Sequence, residues 1–521
     1  MRYEEFLRAS ASRDGDRVAI AHEKGRTTYA ELDALADRFA AALIAGAGFA
    51  RGERCVLFLD NRIETAVGIF GTLRASGIFS VINPTTKANK LAYVLNNCEA
   101  SVLVTQASLL PVALAAAAEA PSVRRVVVTD AASDGNTIAF AEFMAAAPDK
   151  PSTPVRGIDI DLAMLVYTSG STGQPKGVMM THQNIEFAAT SITTYLESRA
   201  DDIVLSVLPL SFDYGLYQLL MAVMKGSTLV LEKSFAFPQK ILPLLASERI
   251  TGFPLVPTMA ALIVQLRNFN PDWAASVRFL TNTAAALPPA HIRKLQEMFP
   301  HARVFSMYGM TESKRCTYLP PEQLAKRPDS VGIAIPGTEV WIADDAGREL
   351  PANVVGELVV RGGHVMQGYW RNEEATARTL KTGRYPWEKV LHTGDPFRMD
   401  EEGFCYFVGR KDDIIKSRGE KVSPKEVENV LYALPGIKEA AIVGVPDEVL
   451  GRALKALVVV EEGSTLQARD IVVHCISQLE DFMVPRLVEF REALPKTSTG
   501  KIRRAALQAE AEGRTMPGED E

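Results

Sequence analysis

Short apolar runs alternate with helical hydrophobic patterns through the first 400 or so residues, and this alternation constrains the fold most strongly. Arg54–Leu59 and Ile78–Ile82 are predicted strands, and Glu64–Gly77 between them has the pattern of a helix. Strand-like runs follow at Ser101–Thr105 and Arg125–Thr129. Strands that alternate with helices usually form parallel sheets covered by helices on both faces. The sequence therefore predicts an α/β protein.

The chain has 521 residues, which is more than one hydrophobic core usually serves, so at least two domains are expected. The pattern changes after about Pro351, and a compact α+β unit begins near Gly409. We expect a large N-terminal domain of parallel-rich sheets flanked by helices over residues 1–408 and a small, mobile C-terminal domain over 409–510. The acidic, Gly- and Pro-containing residues 511–521 are expected to form a disordered tail.

The helix that opens the small unit has a recognisable start. Ser423 is the predicted N-cap, Pro424 the first helical residue, and Glu426 the partner that completes a capping box. The other predicted elements of this unit are a hairpin, three strands and a second helix, at Lys416–Val422, Ala440–Val445, Ala456–Val460, Leu487–Phe490 and Ala468–Leu479.

Charge and composition exclude several classes of protein. Lys and Arg number 57 against 63 Asp and Glu, with no basic block, so nucleic acid is not an expected partner. No window approaches 18 consecutive apolar residues, and the N-terminus has no apolar signal-peptide core. The five cysteines are scattered without CxxC spacing, which favours free thiols in a reducing compartment. We therefore expect a cytoplasmic protein without a membrane span.

The segment Tyr167–Gly177, YTSGSTGQPKG, is the strongest local signal. Its Gly, Ser and Thr residues can turn backbone N–H groups and hydroxyls toward phosphate oxygens, and Lys176 adds a positive charge. It is not a Walker A loop, because Lys176 is followed by Gly177 instead of Ser or Thr. A flexible surface linker is the alternative, although linkers seldom lie between a buried strand and a helix.

Further motifs follow at spacings that make a chance match implausible. Together with TSGSTGQPKG, they resemble the adenylate-forming superfamily of acyl-CoA synthetases, firefly-type luciferases and peptide-synthetase adenylation domains. The resemblance spans nearly the whole chain. The motifs are Tyr308-Gly309-Met310-Thr311-Glu312, Gly356-Glu357-Leu358, His392-Thr393-Gly394-Asp395, Gly409-Arg410-Lys411-Asp412-Asp413 with Lys416-Ser417-Arg418-Gly419-Glu420, and Pro495-Lys496-Thr497-Ser498-Thr499-Gly500-Lys501.

The resemblance implies the use of ATP and Mg²⁺ and assigns roles to particular residues. Thr311 would contact the α-phosphate, Glu312 would help to hold Mg²⁺, and Tyr308 would stack on adenine beside Gly309 and Met310. Asp395 would accept hydrogen bonds from the ribose hydroxyls, and Arg410 would contact ribose and phosphate. The residues that would surround the phosphates are Thr168, Ser169, Gly170, Ser171, Thr172, Gly173 and Lys176.

The resemblance also implies two orientations of the small domain. In one, Lys501 would bridge the acid's carboxylate and the ATP oxygens. In the other, the hairpin around Gly419 would lie where a thiol enters, with Asp412 as the hinge. The alternative for Lys501 is a solvated charge in the basic cluster Lys501-Ile502-Arg503-Arg504.

The substrate acid is the most open question. Phe212, Asp213 and Gly215 lie in the segment that lines the acid pocket of the family. In peptide-synthetase adenylation domains a Phe-Asp pair binds the α-ammonium of an amino acid, and a buried carboxylate needs such a partner. Alternatively, Asp213 caps a helix over Tyr214–Met224.

Two acceptors of the acyl group are expected: coenzyme A, as in acyl-CoA synthetases, or the phosphopantetheine of a separate carrier protein. The stretch Tyr308–Pro321 resembles free-standing ligases that load L-proline onto a carrier protein, and also acyl ligases found beside exosortase systems. A luciferase-type oxygenase and an inactive binding scaffold are further alternatives. The order of residues around Lys176 excludes a P-loop NTPase, and no HExxH or clustered-histidine pattern suggests metal-dependent hydrolysis.

Overall fold

The structure is a computed structural model, and it describes residues 1–23, 25–151, 157–169, 174–283, 287–408, 415–417, 420–447, 451–479, 483–497 and 501–513. Within these ranges the strands form five sheets, and the two largest are predominantly parallel. Helices separate most of the parallel strands along the chain. The predicted α/β class is therefore confirmed.

The strands of the described ranges are numbered here in chain order. They are β1 (Val18–His22), β2 (Gly25–Thr28), β3 (Arg54–Phe58), β4 (Ile78–Ile82), β5 (Ala100–Thr105), β6 (Arg125–Val128), β7 (Ile138–Ala139), β8 (Leu162–Ser169), β9 (Pro175–Thr181), β10 (Ile203–Ser206), β11 (Thr228–Leu231), β12 (Gly252–Leu255), β13 (Phe279–Asn282), β14 (Arg303–Tyr308), β15 (Thr317–Tyr318), β16 (Ile333–Ala334), β17 (Thr338–Ala343), β18 (Gly356–Gly362), β19 (Leu380–Thr382), β20 (Lys389–Met399), β21 (Cys405–Phe407), β22 (Ile415–Ser417), β23 (Glu420–Val422), β24 (Ile437–Asp447), β25 (Gly451–Val460) and β26 (Leu487–Phe490).

The α-helices of the same ranges are numbered in the same way. They are α1 (Glu4–Asp14), α2 (Tyr29–Ala47), α3 (Ile63–Arg74), α4 (Ala88–Asn97), α5 (Leu110–Ala118), α6 (Phe140–Ala145), α7 (His182–Tyr195), α8 (Asp213–Lys225), α9 (Pro238–Ile241), α10 (Pro243–Ser247), α11 (Pro257–Val264), α12 (Pro289–Met298), α13 (Glu373–Thr379), α14 (Pro424–Ala433), α15 (Ala468–Gln478) and α16 (Arg504–Ala511).

The two large sheets share one core. The seven-stranded sheet has the order β7-β6-β5-β3-β4-β8-β9, and the nine-stranded sheet has the order β16-β15-β14-β13-β12-β10-β11-β1-β2. A single cluster of buried apolar side chains includes Leu57 of the first sheet, Phe305 of the second, and Phe39, Phe70 and Leu220 of helices α2, α3 and α8. Helices that bury apolar faces against both sheets account for the packing of these layers.

Most local predictions for the first sheet are confirmed. Strands β3, β4, β5 and β6 lie where the apolar runs placed them, and α3 lies between β3 and β4. The helix ends at Arg74, earlier than the predicted Gly77, because Ser76 has a left-handed φ of 52°. A Cβ added to Gly77 would lie 2.3 Å from the Phe49 ring, so this close turn requires glycine.

A five-stranded antiparallel sheet follows, with the order β17-β18-β20-β19 and with β21 paired to β20. The β20–β21 hairpin turns through Gly403, whose φ is 84°. The chain passes from this sheet to the elements that begin with β22.

Residues from Ile415 onward form their own sheets and core. Strands β22 and β23 pair as the predicted hairpin, and β24, β25 and β26 form a three-stranded sheet. Val427 and Leu431 of α14 and Ile471 of α15 pack on this sheet in a separate apolar cluster. Helix α14 begins at Pro424 as predicted, but the capping box does not form. The Ser423 hydroxyl donates instead to the Val408 carbonyl, at the end of the large unit.

The C-terminal helix extends beyond the expected start of the tail. Helix α16 ends at Ala511, and Glu510 within it is bound by the Arg491 guanidinium at 2.6 Å and 3.0 Å. This ion pair holds the last turn of α16 near β26. Residues 514–521 of the predicted tail lie outside the described ranges.

Candidate active site

The predicted phosphate loop lies at the tip of a β-hairpin. Strands β8 and β9 pair antiparallel, and the register sets Thr168 opposite Lys176. Strand β9 follows the loop, and α7 then begins at His182, so the loop lies between a strand and a helix as expected, with β9 as an additional strand. Antiparallel pairing keeps the two ends of the loop side by side, so Lys176 is held close to the backbone of Thr168.

Lys176 is connected to Glu312 through a tyrosine that the motifs did not reveal. The Lys176 ammonium lies 5.3 Å from the centre of the Tyr369 ring, a cation–π distance. The Tyr369 hydroxyl donates to Glu312 Oε1 at 2.7 Å. The β8–β9 hairpin and the Glu312 carboxylate are therefore neighbours, with Tyr369 between them.

The backbone fixes Tyr369 in this position. The N–H of Met179 on β9 donates to Gly368 O at 2.9 Å, and the N–H of Trp370 donates to Gly177 O at 2.7 Å. The N–H of Met366 donates to Glu312 O at 2.8 Å. The segment 366–370 is thus joined both to the phosphate hairpin and to the loop that carries Glu312.

Burial dominates the electrostatics of Glu312. Burial raises the pKa of this carboxyl, the hydrogen bond from Tyr369 opposes that rise, and the charges of Asp213 and Asp395 add to it. A buried carboxyl with carboxylates nearby is stabilised by a cation. Glu312 and Asp395 are therefore suited to positively charged or metal-bound groups, whereas Asp213 is paired with Lys314 of the protein itself.

Tyr308 and Asp395 are in direct contact. The Tyr308 hydroxyl donates to Asp395 Oδ2 at 2.7 Å, and the Tyr308 ring packs edge-on against Phe397 with centroids 4.8 Å apart. Burial, followed by the charge of Asp395, raises the pKa of Tyr308 well above its usual value. Tyr308 therefore remains a neutral donor that orients the carboxylate.

The segment of β20 that carries Asp395 is held by the Gly356-Glu357-Leu358 motif. Glu357 Oε1 accepts a hydrogen bond from the Gly394 N–H at 2.7 Å, and Glu357 Oε2 lies 2.9 Å from His392 Nδ1. The Thr393 hydroxyl donates to the Leu358 carbonyl at 2.8 Å. Two motifs that the sequence shows as separate thus act together to position Asp395.

The predicted acid-pocket residues lie at the start of α8. Asp213 is the first residue of the helix and Phe212 occupies the N-cap, so the predicted capping role of Asp213 is wrong. A Cβ added to Gly215 would lie 2.3 Å from Pro209 O, so the preceding loop can fold back only over glycine. The Phe212 ring meets the Tyr214 ring edge-on, with centroids 6.3 Å apart.

Asp213 has a protein partner that the sequence did not suggest. Lys314 Nζ donates to the Asp213 carbonyl at 2.8 Å and lies 3.3 Å from Asp213 Oδ2. Burial lowers the pKa of Lys314, while the charge of Asp213 opposes this shift and favours the ammonium form. The two residues are 101 positions apart, which explains why local patterns do not reveal the pair.

The structure describes some of the remaining predicted site residues and not others. Thr311 is half-buried beside Glu312, and Met310 Sδ lies 4.0 Å from the Tyr308 hydroxyl. The half-buried Lys501 donates its N–H to Thr497 Oγ1 at 3.1 Å, in a loop closed by the Lys496–Ile502 bridge. The Ser169 side chain and the following predicted residues lie outside the described part of the chain: Gly170, Ser171, Thr172, Gly173, Arg410, Asp412 and Gly419.

The described side chains supply only part of the set of ligands that a magnesium ion needs. Among the described residues, no group of three His, Cys, Asp or Glu side chains could enclose a metal ion. Glu312 offers a half-buried carboxylate that is joined to Lys176 through Tyr369. Because Mg²⁺ is commonly held by one or two carboxylates together with substrate phosphates and water, Glu312 and the phosphates of ATP form a chemically sufficient set.

Comparison with known proteins agrees with this geometry. The family model of AMP-binding enzymes matches residues 7–370, and the model of the AMP-binding enzyme C-terminal domain matches residues 426–501. The chain therefore belongs to the AMP-binding enzyme family, the adenylate-forming superfamily that its motifs resemble. Together with the relatives described next, this membership shows that the chain is an AMP-forming acid–thiol ligase of the acyl-CoA synthetase type that uses ATP.

Three similar proteins cover almost all of the chain. A long-chain-fatty-acid–CoA ligase of Bacillus subtilis is 31% identical over 97% of this chain and 94% of its own length. A feruloyl-CoA synthase of Amycolatopsis is 32% identical over 93% of this chain and 94% of its own. The crystal structure of ATP-bound MatB from Rhodopseudomonas palustris superposes with a TM-score of 0.88, at 29% identity, over 98% of this chain and 99% of that chain.

Among the described residues, no helix combines the length and the apolar character needed to cross a membrane. All five cysteines fall within these residues, and each is a buried free thiol. The free thiols agree with what the scattered cysteine spacing predicts.

Proposed function

We propose that this enzyme converts an aliphatic or aromatic carboxylic acid to its coenzyme A thioester, with Mg²⁺ as cofactor and a mobile small domain. The main support is that Lys176 of the β8–β9 hairpin contacts the Tyr369 ring and the Tyr369 hydroxyl donates to Glu312. In addition, Tyr308 at the end of β14 donates to Asp395 of β20. The named substrates of the similar proteins, a long-chain fatty acid and ferulate, are both carboxylic acids joined to CoA.

In the first half-reaction, a carboxylate oxygen of the acid attacks the α-phosphorus of ATP. An acyl–O–P bond forms, the P–O bond to the β-phosphate breaks, and pyrophosphate leaves. Two anions must meet, so positioning and charge neutralisation supply most of the catalysis. Lys176 and Lys501 supply positive charge to the phosphates and to the attacking carboxylate, and Thr311 binds the α-phosphate.

The described residues also orient the nucleotide. Asp395 accepts hydrogen bonds from the ribose hydroxyls while Tyr308 fixes its carboxylate. Mg²⁺ bound to Glu312 and phosphate oxygens would neutralise charge on the departing pyrophosphate. Tyr369 holds the Glu312 carboxylate in one orientation through its hydroxyl.

In the second half-reaction, the thiol of coenzyme A attacks the acyl carbon of the adenylate. A C–S bond forms, the C–O bond to AMP breaks, and the thiol proton passes to solvent. We propose that the small domain, with its boundary near residue 408 and its hinge at Asp412, rotates between the two half-reactions. Lys501 would then leave and the hairpin around Gly419 would approach.

We further propose that the enzyme acts in the cytoplasm. The five buried free thiols suit a reducing compartment, and ATP and coenzyme A are cytoplasmic reactants. A separate carrier protein bearing phosphopantetheine remains the second candidate acceptor, because its thiol is chemically the same as that of coenzyme A.

Product analysis tests this proposal. The enzyme is incubated with ATP, Mg²⁺ and coenzyme A against fatty, aromatic and amino acids, and in parallel with a phosphopantetheine carrier protein in place of coenzyme A. We expect equal amounts of AMP and acyl-CoA from fatty or aromatic acids. Formation of ADP, or a thioester only on the carrier protein, would contradict the proposal.

A further inference from the structure

A buried lysine already occupies the position from which a substrate ammonium would bind Asp213. The Lys314 side chain is 2% exposed and that of Asp213 is 13% exposed, with Nζ 3.3 Å from Oδ2 and 2.8 Å from the Asp213 carbonyl. Buried carboxylates and ammonium groups are stable chiefly when paired with each other. The cation that Asp213 requires therefore comes from the protein itself.

The conformation of the backbone places the Lys314 side chain beside Asp213. The loop between β14 and β15 closes through the Cys316 N–H, which donates to Tyr308 O at 2.9 Å. A Cβ added to Gly309 would lie 2.2 Å from Lys314 O, and Lys314 itself has a left-handed φ of 53°. A left-handed lysine persists only where surrounding contacts stabilise it.

Aromatic rings of α8 surround the lysine. Its ammonium lies 4.5 Å from the centre of the Tyr217 ring and 5.5 Å from that of Tyr214, within the range of cation–π contacts. The next residue, Arg315, is 1% exposed, and its guanidinium carbon lies 5.2 Å from the Tyr214 centroid. A second buried protein cation, Arg315, thus lies near Lys314 on the same aromatic ring.

A substrate ammonium would be poorly accommodated here. It would add a third positive charge beside Lys314 and Arg315, or it would displace Lys314 and leave that ammonium buried without its carboxylate. An acid without an α-amino group adds no positive charge and does not displace Lys314, so it avoids both of these energetic costs. The charge of Asp213 also reaches Glu312, which places this pair close to the reacting groups.

We propose that Lys314 is a specificity-determining residue that neutralises Asp213 and thereby excludes α-amino acids in favour of acids without an ammonium group. The inference rests on the proposed function and narrows its substrate class. It also opposes the aminoacyl alternative, in which Asp213 would bind the substrate's ammonium.

Binding of matched adenylate analogues tests the inference without requiring turnover. In acyl sulfamoyl adenosines, a non-reactive sulfamate replaces the acyl phosphate. Pairs that differ only by the amino group are compared by calorimetry: cyclopentanecarbonyl with prolyl, 4-methylpentanoyl with leucyl, and 3-phenylpropanoyl with phenylalanyl. We expect wild type to bind the acyl member of the best-bound pair at least about 10-fold more tightly.

Lys314→Met removes the charge and keeps most of the side-chain volume. We expect its preference to shift toward the aminoacyl member by at least about 10-fold, because Asp213 is left in need of a cation. The shift should disappear in Asp213→Asn/Lys314→Met and be absent from Lys314→Arg, which keeps a cation. The exposed Lys381→Met is the matched control and should bind as wild type does.

The outcomes separate this inference from the proposed function. An unchanged preference in a folded Lys314→Met, or a wild type that binds aminoacyl analogues more tightly, would overturn the inference. Pyrophosphate exchange on the same proteins reports the chemistry independently. A shifted preference without exchange would support the role of Lys314 and refute the proposed activity.

Discussion

At the scale of single residues, the site depends on charged groups that are held by neutral donors. Glu312 is oriented by the Tyr369 hydroxyl, and Asp395 by the Tyr308 hydroxyl, each at 2.7 Å. A tyrosine donor fixes a carboxylate without neutralising its charge, so the carboxylate remains available to a metal ion or a ribose. The two tyrosines thus act as positioning residues.

Replacement of Tyr369 by Phe tests this view. A hydrogen bond to a charged group is worth about 1.5–3 kcal/mol, so we expect kcat/KM for ATP to fall by about 10-fold or more. The Mg²⁺ concentration for half-maximal activity should rise, while the KM for the acid changes little. Steady-state kinetics at varied Mg²⁺ measure both effects. Tyr385→Phe, at an exposed tyrosine, is the control, and equal behaviour of the two variants would contradict the role of Tyr369.

Glu4 provides a pH-dependent test at the same scale. The side chain is buried beside Arg2 and His182, and burial raises its pKa to about 7, with the charge of Arg2 opposing. Because the folded pKa lies above the unfolded value of 4.5, stability is lost as pH rises from 4.5 to 7. By pH 8 the loss should approach about 3 kcal/mol.

Glu4→Gln should remove that loss. We expect the variant to be more stable than wild type at pH 8, with the difference shrinking toward pH 5. Urea denaturation at both pH values measures it. Glu5→Gln, at the exposed neighbouring position, should show no such trend. A stability difference for Glu4→Gln that is the same at pH 5 and pH 8 would be evidence against a raised pKa.

At the scale of elements, the sheet of β17 to β21 positions the segment of β20 that carries Asp395. Glu357 on β18 binds the Gly394 N–H and His392 on β20, and these contacts bring Asp395 beneath Tyr308. The antiparallel pairing of β18 and β20 has a register shift between Glu357 and Val359, next to this contact. Such irregularities redirect a strand near a site.

Glu357→Ala should loosen the segment of β20 that carries Asp395. We expect the KM for ATP to rise by about 10-fold, because Asp395 loses its fixed position, and the KM for the acid to stay nearly constant. Initial rates at varied ATP and acid concentrations distinguish the two. The control is Glu339→Ala on the neighbouring strand β17. Its carboxylate binds Arg361 and has no hydrogen bond to the segment that carries Asp395 among those described. A rise in the KM for the acid alone would refute this role.

At the scale of the whole molecule, the account predicts two separable half-reactions. Lys501→Ala should slow adenylate formation by about 10²–10³-fold, since one preorganised positive group is removed. Thioester formation from pre-made adenylate should stay within a few-fold of wild type. Lys496→Ala is the control on the same loop, because its ammonium binds Glu439. Equal loss of both half-reactions would argue against a rotating small domain.

The sequence predicted features that depend on neighbouring residues. The strands β3 to β6, the helix start at Pro424 and the hairpin of β22 and β23 all follow from local patterns. It did not predict the Tyr369–Glu312 and Lys314–Asp213 contacts, because their partners are 57 and 101 positions apart. Nor did it show that the Ser423 hydroxyl would bind Val408 in place of its own helix. Such contacts depend on tertiary packing, which single-sequence patterns do not encode.

The exchange of radiolabelled pyrophosphate into ATP, driven by a carboxylic acid without any thiol present, tests the central claim most directly. The account predicts exchange that requires Mg²⁺, is driven by a fatty or aromatic acid, and is lost in Lys501→Ala. Exchange driven only by amino acids would contradict the proposed substrate class. The absence of exchange with every acid, from an enzyme that still forms a thioester, would contradict the adenylate itself.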